Sequence, residues 1–170
     1  MSLLNVKIGP NAPNTFNTVI EIPKGSTNKY ELDKESGLLR LDRVLYSPLF
    51  YPFDYGFIPQ THYLDGDAID CLVMSMHPTF PGCIVEARAI GVLEMRDDKG
   101  PDEKVLCVAV MDPRFNNRKS LNDLNPHTLK EIIHFFEVYK TLEDKEVEVL
   151  GWKDVPEAIQ IIEQYRTDRS

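Results

Sequence analysis

Apolar and polar positions alternate from residue 15 to 22. Phe16, Thr18, Ile20 and Ile22 share one face, and Asn17, Val19 and Glu21 the other. That period of two predicts a strand with Glu21 turned away from the main apolar face. Residues 1–14, with Gly9, Pro10 and Pro13, read as an irregular lead-in, and Pro23-Lys24-Gly25-Ser26 ends the strand. A second strand is predicted over 29–32, with Lys29 and Glu31 on one face. Glu35-Ser36-Gly37 then turns the chain into a third over 38–44, where Leu39, Leu41 and Arg43 oppose Leu38, Arg40 and Asp42. Residues 50–59 are dense in aromatics and broken by Pro and Gly, so they read as an ordered loop, with Tyr51 and Tyr55 either core anchors, the favoured reading, or groups pointing at a ligand.

The apolar run over 69–76 predicts a buried strand. Pro78, Pro81 and Gly82 break the chain before a long strand over 83–94. Residues 97–102 form a hairpin turn, and 103–111 return as a further strand. Residues 112–125 are polar and loop-like. Asn125-Pro126 supplies a cap and a first-turn proline for a helix whose stripe is Leu129, Ile132, Ile133, Phe136 and Tyr139. A short strand over 147–152 and a helix over 154–166 complete the chain. Strands come first and helices last, without βαβ alternation. The expected fold is mainly β with flanking helices (α+β): a small closed or nearly closed β-barrel. No repeat or linker divides residues 1–170, so one domain is expected.

The bulk numbers narrow the function. The chain has 170 residues, 42% hydrophobic and 27% charged, which fits a soluble globular protein. A net charge of −8 argues against a general nucleic-acid or anionic-membrane binder. No apolar run approaches a membrane span and no signal pattern opens the chain. Cys71, Cys83 and Cys107 lie far apart in apolar runs and read as reduced thiols of a cytoplasmic protein.

Candidate chemistry centres on Asp65-Gly66-Asp67-Ala68-Ile69-Asp70. Three carboxylates so close repel one another, and a hard divalent cation such as Mg²⁺ relieves that repulsion. Gly66 permits a sharp bend between the first two acids. A second acidic cluster lies at the hairpin. With a four-residue loop at 98–101, Asp97 and Asp102 face each other across it, and Lys104 shares their face. Lys29, Arg43, Lys104 and Lys140 sit in or beside predicted elements, as binding a compact phosphate ester or anhydride requires. There is no P-loop, no G-x-S-x-G elbow and no HExxH pair among His62, His77, His127 and His134. His134, on an apolar helical run, reads as structural or interfacial. These residues leave three readings open: a metal-dependent pyrophosphate hydrolase, a phosphohydrolase of nucleotides or sugar phosphates, and a binding module for single-stranded nucleic acid.

The ordered set of motifs resembles the soluble inorganic pyrophosphatases of the first family, bacterial short form. It runs through Ile20-Glu21-Ile22-Pro23, Lys29-Tyr30-Glu31, Asp33-Lys34-Glu35-Ser36-Gly37 and Asp42-Arg43. It continues with Tyr51-Pro52, Tyr55-Gly56, Asp65-Gly66-Asp67, Asp70 and Asp97…Asp102…Lys104, then His134-Phe135-Phe136-Glu137 and Tyr139-Lys140. The resemblance implies a five-stranded barrel of OB type, Mg²⁺-dependent hydrolysis of pyrophosphate to two orthophosphates without a covalent intermediate, and a cytoplasmic homohexamer. It implies metal ligation by Asp65, Asp70, Asp97 and Asp102, and a general-base role for Asp67 with Tyr55 at the catalytic centre. Lys29, Arg43, Tyr55, Tyr139 and Lys140 would bind phosphate oxygens, and Glu21, Glu31, Tyr51 and Lys104 would support them. No nucleic-acid or membrane partner is expected. Two departures from the family pattern stand out. Ala68 replaces the usual Pro or Glu, which alters turn rigidity. Asp54 replaces the usual Asn, which is expected to add negative charge near the site.

Overall fold

The structure, a computed structural model, describes residues 2–168. Its elements run β1 (Phe16–Ile22), β2 (Asn28–Leu32), β3 (Leu39–Val44), β4 (Asp54–Ile58), β5 (Ile69–Met74), β6 (Ile84–Asp97), β7 (Gly100–Pro101) and β8 (Lys104–Ala109). Helix α1 (Pro126–Val138), β9 (Glu148–Lys153) and α2 (Val155–Tyr165) follow. Five strands close into a ring in the order β1-β4-β5-β8-β6, with β6 returning to β1. Strand β9 extends the sheet from β6, and β2–β3 form a separate hairpin. The strand-first, helix-last reading therefore holds, and the fold is mostly β with two helices.

The ring strands are buried on both faces, which explains their near-continuous apolar runs. Along β5, Ile69, Cys71 and Val73 join Ala158 and Ile162 of α2 in one core cluster. Leu72 and Met74 join Ile132, Phe135 and Phe136 of α1 in another. Helix α1 starts where the sequence predicts: Asn125 Oδ1 accepts a hydrogen bond from the His127 amide at 2.9 Å, with proline in the first turn. Phe135 belongs to its buried face alongside the predicted stripe. Cys71 and Cys107 are buried free thiols and Cys83 is a half-buried one. Among the described residues no helix is long and apolar enough to cross a membrane.

Three expectations change. The aromatic stretch is not all loop, because its second half is β4, paired to both β1 and β5. Gly56 makes this possible: a Cβ there would stand 1.9 Å from the Val19 carbonyl oxygen, so only glycine lets the strands approach this closely. The acidic hairpin is tighter than expected. Asp97 pairs with Gly100 and Arg96 with Pro101, so the turn is Asp98-Lys99 and Asp97 does not face Asp102. Gly100, at φ +115°, takes a backbone conformation that other residues rarely adopt. Finally, β3 does not alternate strictly. Lys29 pairs with Arg43 and Tyr30 with Leu41, so Asp42 is the extra residue of a β-bulge.

Candidate active site

A cleft of about 630 Å³ opens where the 65–67 turn, the 97–102 hairpin, the β2–β3 hairpin and the end of α1 meet. Of the fourteen residues singled out from sequence, thirteen line it: Glu21, Lys29, Glu31, Arg43, Tyr55, Asp65, Asp67, Asp70, Asp97, Asp102, Lys104, Tyr139 and Lys140. Tyr51 does not. It is 1% exposed and packs behind the cleft, its ring 5.4 Å from Tyr55 and 4.9 Å from Phe135.

The floor is built by two parallel neighbours, β5 and β8. Asp70 projects from β5 and Lys104 from the start of β8. Lys104 Nζ lies 2.6 Å from Asp70 Oδ2 and 2.5 Å from Asp102 Oδ1, and the Tyr55 hydroxyl donates to the same Asp70 oxygen at 2.6 Å. Burial of Lys104 opposes its charge, but Asp70 and then Asp102 outweigh it and hold the ammonium well above its usual range. Burial, reinforced by Asp70, pushes the Tyr55 phenol far up, so it stays a neutral donor. Burial likewise raises Asp102, because Lys104 only partly offsets the cost.

The walls carry further ion pairs. Lys140, just past the end of α1, reaches Asp97 at 3.1 Å. Partial burial works to raise Asp97, but the Lys99 amide and Lys140 outweigh it and the carboxyl sits below its usual range. Lys34 reaches Asp67 at 2.5 Å, while Asp65 Oδ1 accepts from the Asp67 amide at 2.9 Å and so closes the turn. On the β2–β3 hairpin Lys29 pairs with Glu31 and lies 3.4 Å from Asp42, and Arg43 Nη1 lies 2.6 Å from Asp42. Glu21 comes from the ring itself. Its carboxylate accepts from the Leu32 amide at 2.7 Å, tying the β2–β3 hairpin to β1. Burial pushes Glu21 up to about 8 against that hydrogen bond.

Asp42, Lys34 and Asp98 also line the cleft and escaped the sequence reading as site residues. The bulge brings Asp42 there beside Arg43, and no periodicity reports a bulge. The Asp54 departure resolves differently from expectation. Asp54 is 1% exposed and does not line the cleft. Its carboxylate accepts from the Lys24 amide at 2.8 Å and from the Thr79 amide and hydroxyl at 2.9 and 2.6 Å. It fastens two loops instead of charging the site. Ala68 lines the cleft, and the turn before it stays closed by the Asp65 contact and by Gly66 at φ +88°.

Hard oxygen donors crowded in a partly buried cleft fit a hard divalent cation. The raised Asp102, flanked by Asp70 and Asp97, is the group such a cation would relieve. Among the described residues no three His, Cys, Asp or Glu side chains converge as a ready-made cage. Mg²⁺ does not demand one, since it keeps several waters and takes only one or two carboxylates.

A small ring of strands whose mouth interleaves carboxylates with ammonium and guanidinium groups defines a protein class suited to phosphoryl chemistry on a compact anion. The family profile described as Inorganic pyrophosphatase matches residues 18–169. A relative from Synechocystis sp., named inorganic pyrophosphatase, is 52% identical over 164 residues, 96% of each chain. Another of that name from Methanosarcina acetivorans is 50% identical over 149 residues, 88% of this chain and 89% of its own. Among solved structures, inorganic pyrophosphatase from Thermus thermophilus matches with a TM-score of 0.93 at 44% identity, covering 96% of this chain and 95% of that one. The chain belongs to the inorganic pyrophosphatase family.

Proposed function

We propose that this chain, acting as one domain, is an inorganic diphosphatase that hydrolyses pyrophosphate to two orthophosphates with Mg²⁺. The observation that carries the reading is the cleft itself. Thirteen residues that family resemblance marks for this reaction converge there from seven separate segments of the chain. Asp65, Asp70, Asp97 and Asp102 would between them hold more than one metal ion, which would supply a lowered pKa for bound water and offset charge on the phosphoryl group.

The chain's own groups do the rest. Lys29, Arg43 and Lys140 bind phosphate oxygens and stabilise charge that builds in the transition state. Tyr139 lies at the end of α1 beside Lys140, whose ammonium is 5.3 Å from its ring centroid, and adds a hydroxyl to the same subsite. Asp67, at the solvent-facing turn, takes or orients the proton of the attacking water. Tyr55, neutral and donating to Asp70, fixes that carboxylate, with Tyr51 packed behind it. Lys104 steadies Asp70 and Asp102, while Glu21 ties the β2–β3 hairpin to β1 and Glu31 pairs with Lys29. No side chain is asked to form a covalent intermediate. The reading carries with it a cytoplasmic homohexamer.

Phosphate release from pyrophosphate, nucleotides and sugar phosphates, with and without excess chelator, tests the activity. Rapid release from pyrophosphate alone, abolished by chelator, is expected. Persistence in chelator, or preference for a nucleotide, overturns the reading. Light scattering at micromolar concentration tests the hexamer, which a monomer would refute.

A further inference from the structure

Arg43 is the cleft's only arginine among the described residues, and its guanidinium has a second acidic neighbour that does not itself line the cleft. Glu143 ends the 3-10 turn Thr141–Glu143, directly after Tyr139 and Lys140. Its neighbour Leu142 points outward at 59% exposed, whereas the Glu143 side chain is only 6% exposed. A carboxylate buried to that degree costs free energy unless a cation faces it. The cation is Arg43, whose Nε lies 2.7 Å from Glu143 Oε1. The N–H is not aligned for a hydrogen bond, and Arg43 Nε and Glu143 Oε2 both stay buried without a hydrogen-bond partner. The contact is therefore Coulombic.

We propose that Glu143 is a positioning residue that holds the Arg43 guanidinium in the cleft against the pull of Asp42, so that its remaining donors face a phosphate. This rests on the diphosphatase reading above. Arg43 sits between two carboxylates, with Nη1 2.6 Å from Asp42 Oδ2 on one side and Nε beside Glu143 on the other. A cation between two anions stays centred; with one removed it collapses onto the other. Burial weakens the guanidinium's charge, and Glu143 is the largest influence that restores it. Arginine has five donors in a rigid fork, so orientation decides how many reach the ligand. The chain thereby links the end of α1 to the β3 bulge: Lys140 and Arg43 are set by one short segment, 140–143.

The test measures steady-state kinetics with pyrophosphate and inhibition by orthophosphate for Glu143→Gln and Glu143→Asp, each also in an Arg43→Lys background. Glu143→Gln removes the charge at nearly constant shape. It should raise KM and the orthophosphate inhibition constant by about tenfold, as loss of one charged contact does, with a smaller effect on kcat. Glu143→Asp keeps the charge and should recover part of the loss. Against Arg43→Lys, Glu143→Gln should add nothing further, because the fork it positions is gone. A KM unchanged or lowered by Glu143→Gln, or an equal rise in the Arg43→Lys background, overturns the proposal. Wild-type protein inert toward pyrophosphate would instead sink the diphosphatase reading.

Discussion

Lys104 Nζ lies 2.5 Å from Asp102 Oδ1, and the lysine is 2% exposed. The closest cation to two of the expected metal ligands is thus one the chain supplies itself. Without a divalent ion this ammonium screens Asp70 and Asp102 from each other. Lys104→Met should lower the melting temperature in chelator, because removing one partner of a buried pair costs about 3–5 kcal/mol. Added Mg²⁺ should then raise the melting temperature of the variant more than that of the wild type, as the freed carboxylates gain more from the ion. Calorimetric melts in chelator and in Mg²⁺ check both parts. A smaller Mg²⁺ response in the variant would contradict them.

The neighbours Asp97 and Asp98 should behave differently. The Asp97 side chain is 10% exposed and paired to Lys140, while Asp98 is exposed at the tip of a two-residue turn. Asp97→Asn should lower pyrophosphate hydrolysis about a hundredfold or more, on the scale of a lost charge-stabilising group. Asp98→Asn, at the exposed rim of the same cleft, should stay within a few-fold. Measuring Mg²⁺ dependence for both decides it.

Glu21 gives the metal-free protein a pH dependence. Its folded value of about 8 stands above the unfolded 4.5. Below 4.5 both states hold the proton. Between 4.5 and about 8 the folded state keeps it and the unfolded state loses it. Stability therefore falls as pH rises through that window and levels off above it. Glu21→Gln keeps an acceptor for the Leu32 amide and removes the charge. Urea unfolding in chelator at pH 5 and pH 8 should show a weaker decline for the variant than for the wild type. Identical slopes would reject the assignment.

Gly56→Ala should be among the most damaging single changes. The added Cβ meets backbone of β1, which has no rotamer to yield. A loss of about 4 kcal/mol or more is expected, as for other severe steric insertions. Soluble expression and urea midpoints would report it.

The readable parts of the site were local in sequence. Asp65, Asp67 and Asp70 lie within six residues, so a turn followed by a strand is enough to bring them to one mouth. The Asn125 cap and Pro126 likewise mark the helix that delivers Lys140. What sequence did not reveal depends on contacts between distant segments. The 54–58 strand carries no alternation, because both of its faces are covered. The hairpin tip looked like four residues because Gly100 pairs instead of looping. Asp42 answers to a bulge and Glu143 to a cation, Arg43, 100 residues away along the chain, and neither leaves a periodic trace.

Strands β5 and β8 run parallel, yet the residues they pair, such as Cys71 and Val105, are separated by the whole of β6 and the acidic hairpin. A parallel pair cannot zip outward from a tight turn, so it forms only after that intervening chain has found its place. Asp70 and Lys104 ride on those two strands. Their opposite charges meet only once those two strands have paired. A chain stalled before that step would carry Asp65, Asp67 and Asp70 as a loose acidic tract, able to attract cations but with no arginine or lysine set opposite to receive a phosphate. Competence to bind the anion is thus coupled to topology, and a partly folded chain has no partial version of the site to offer.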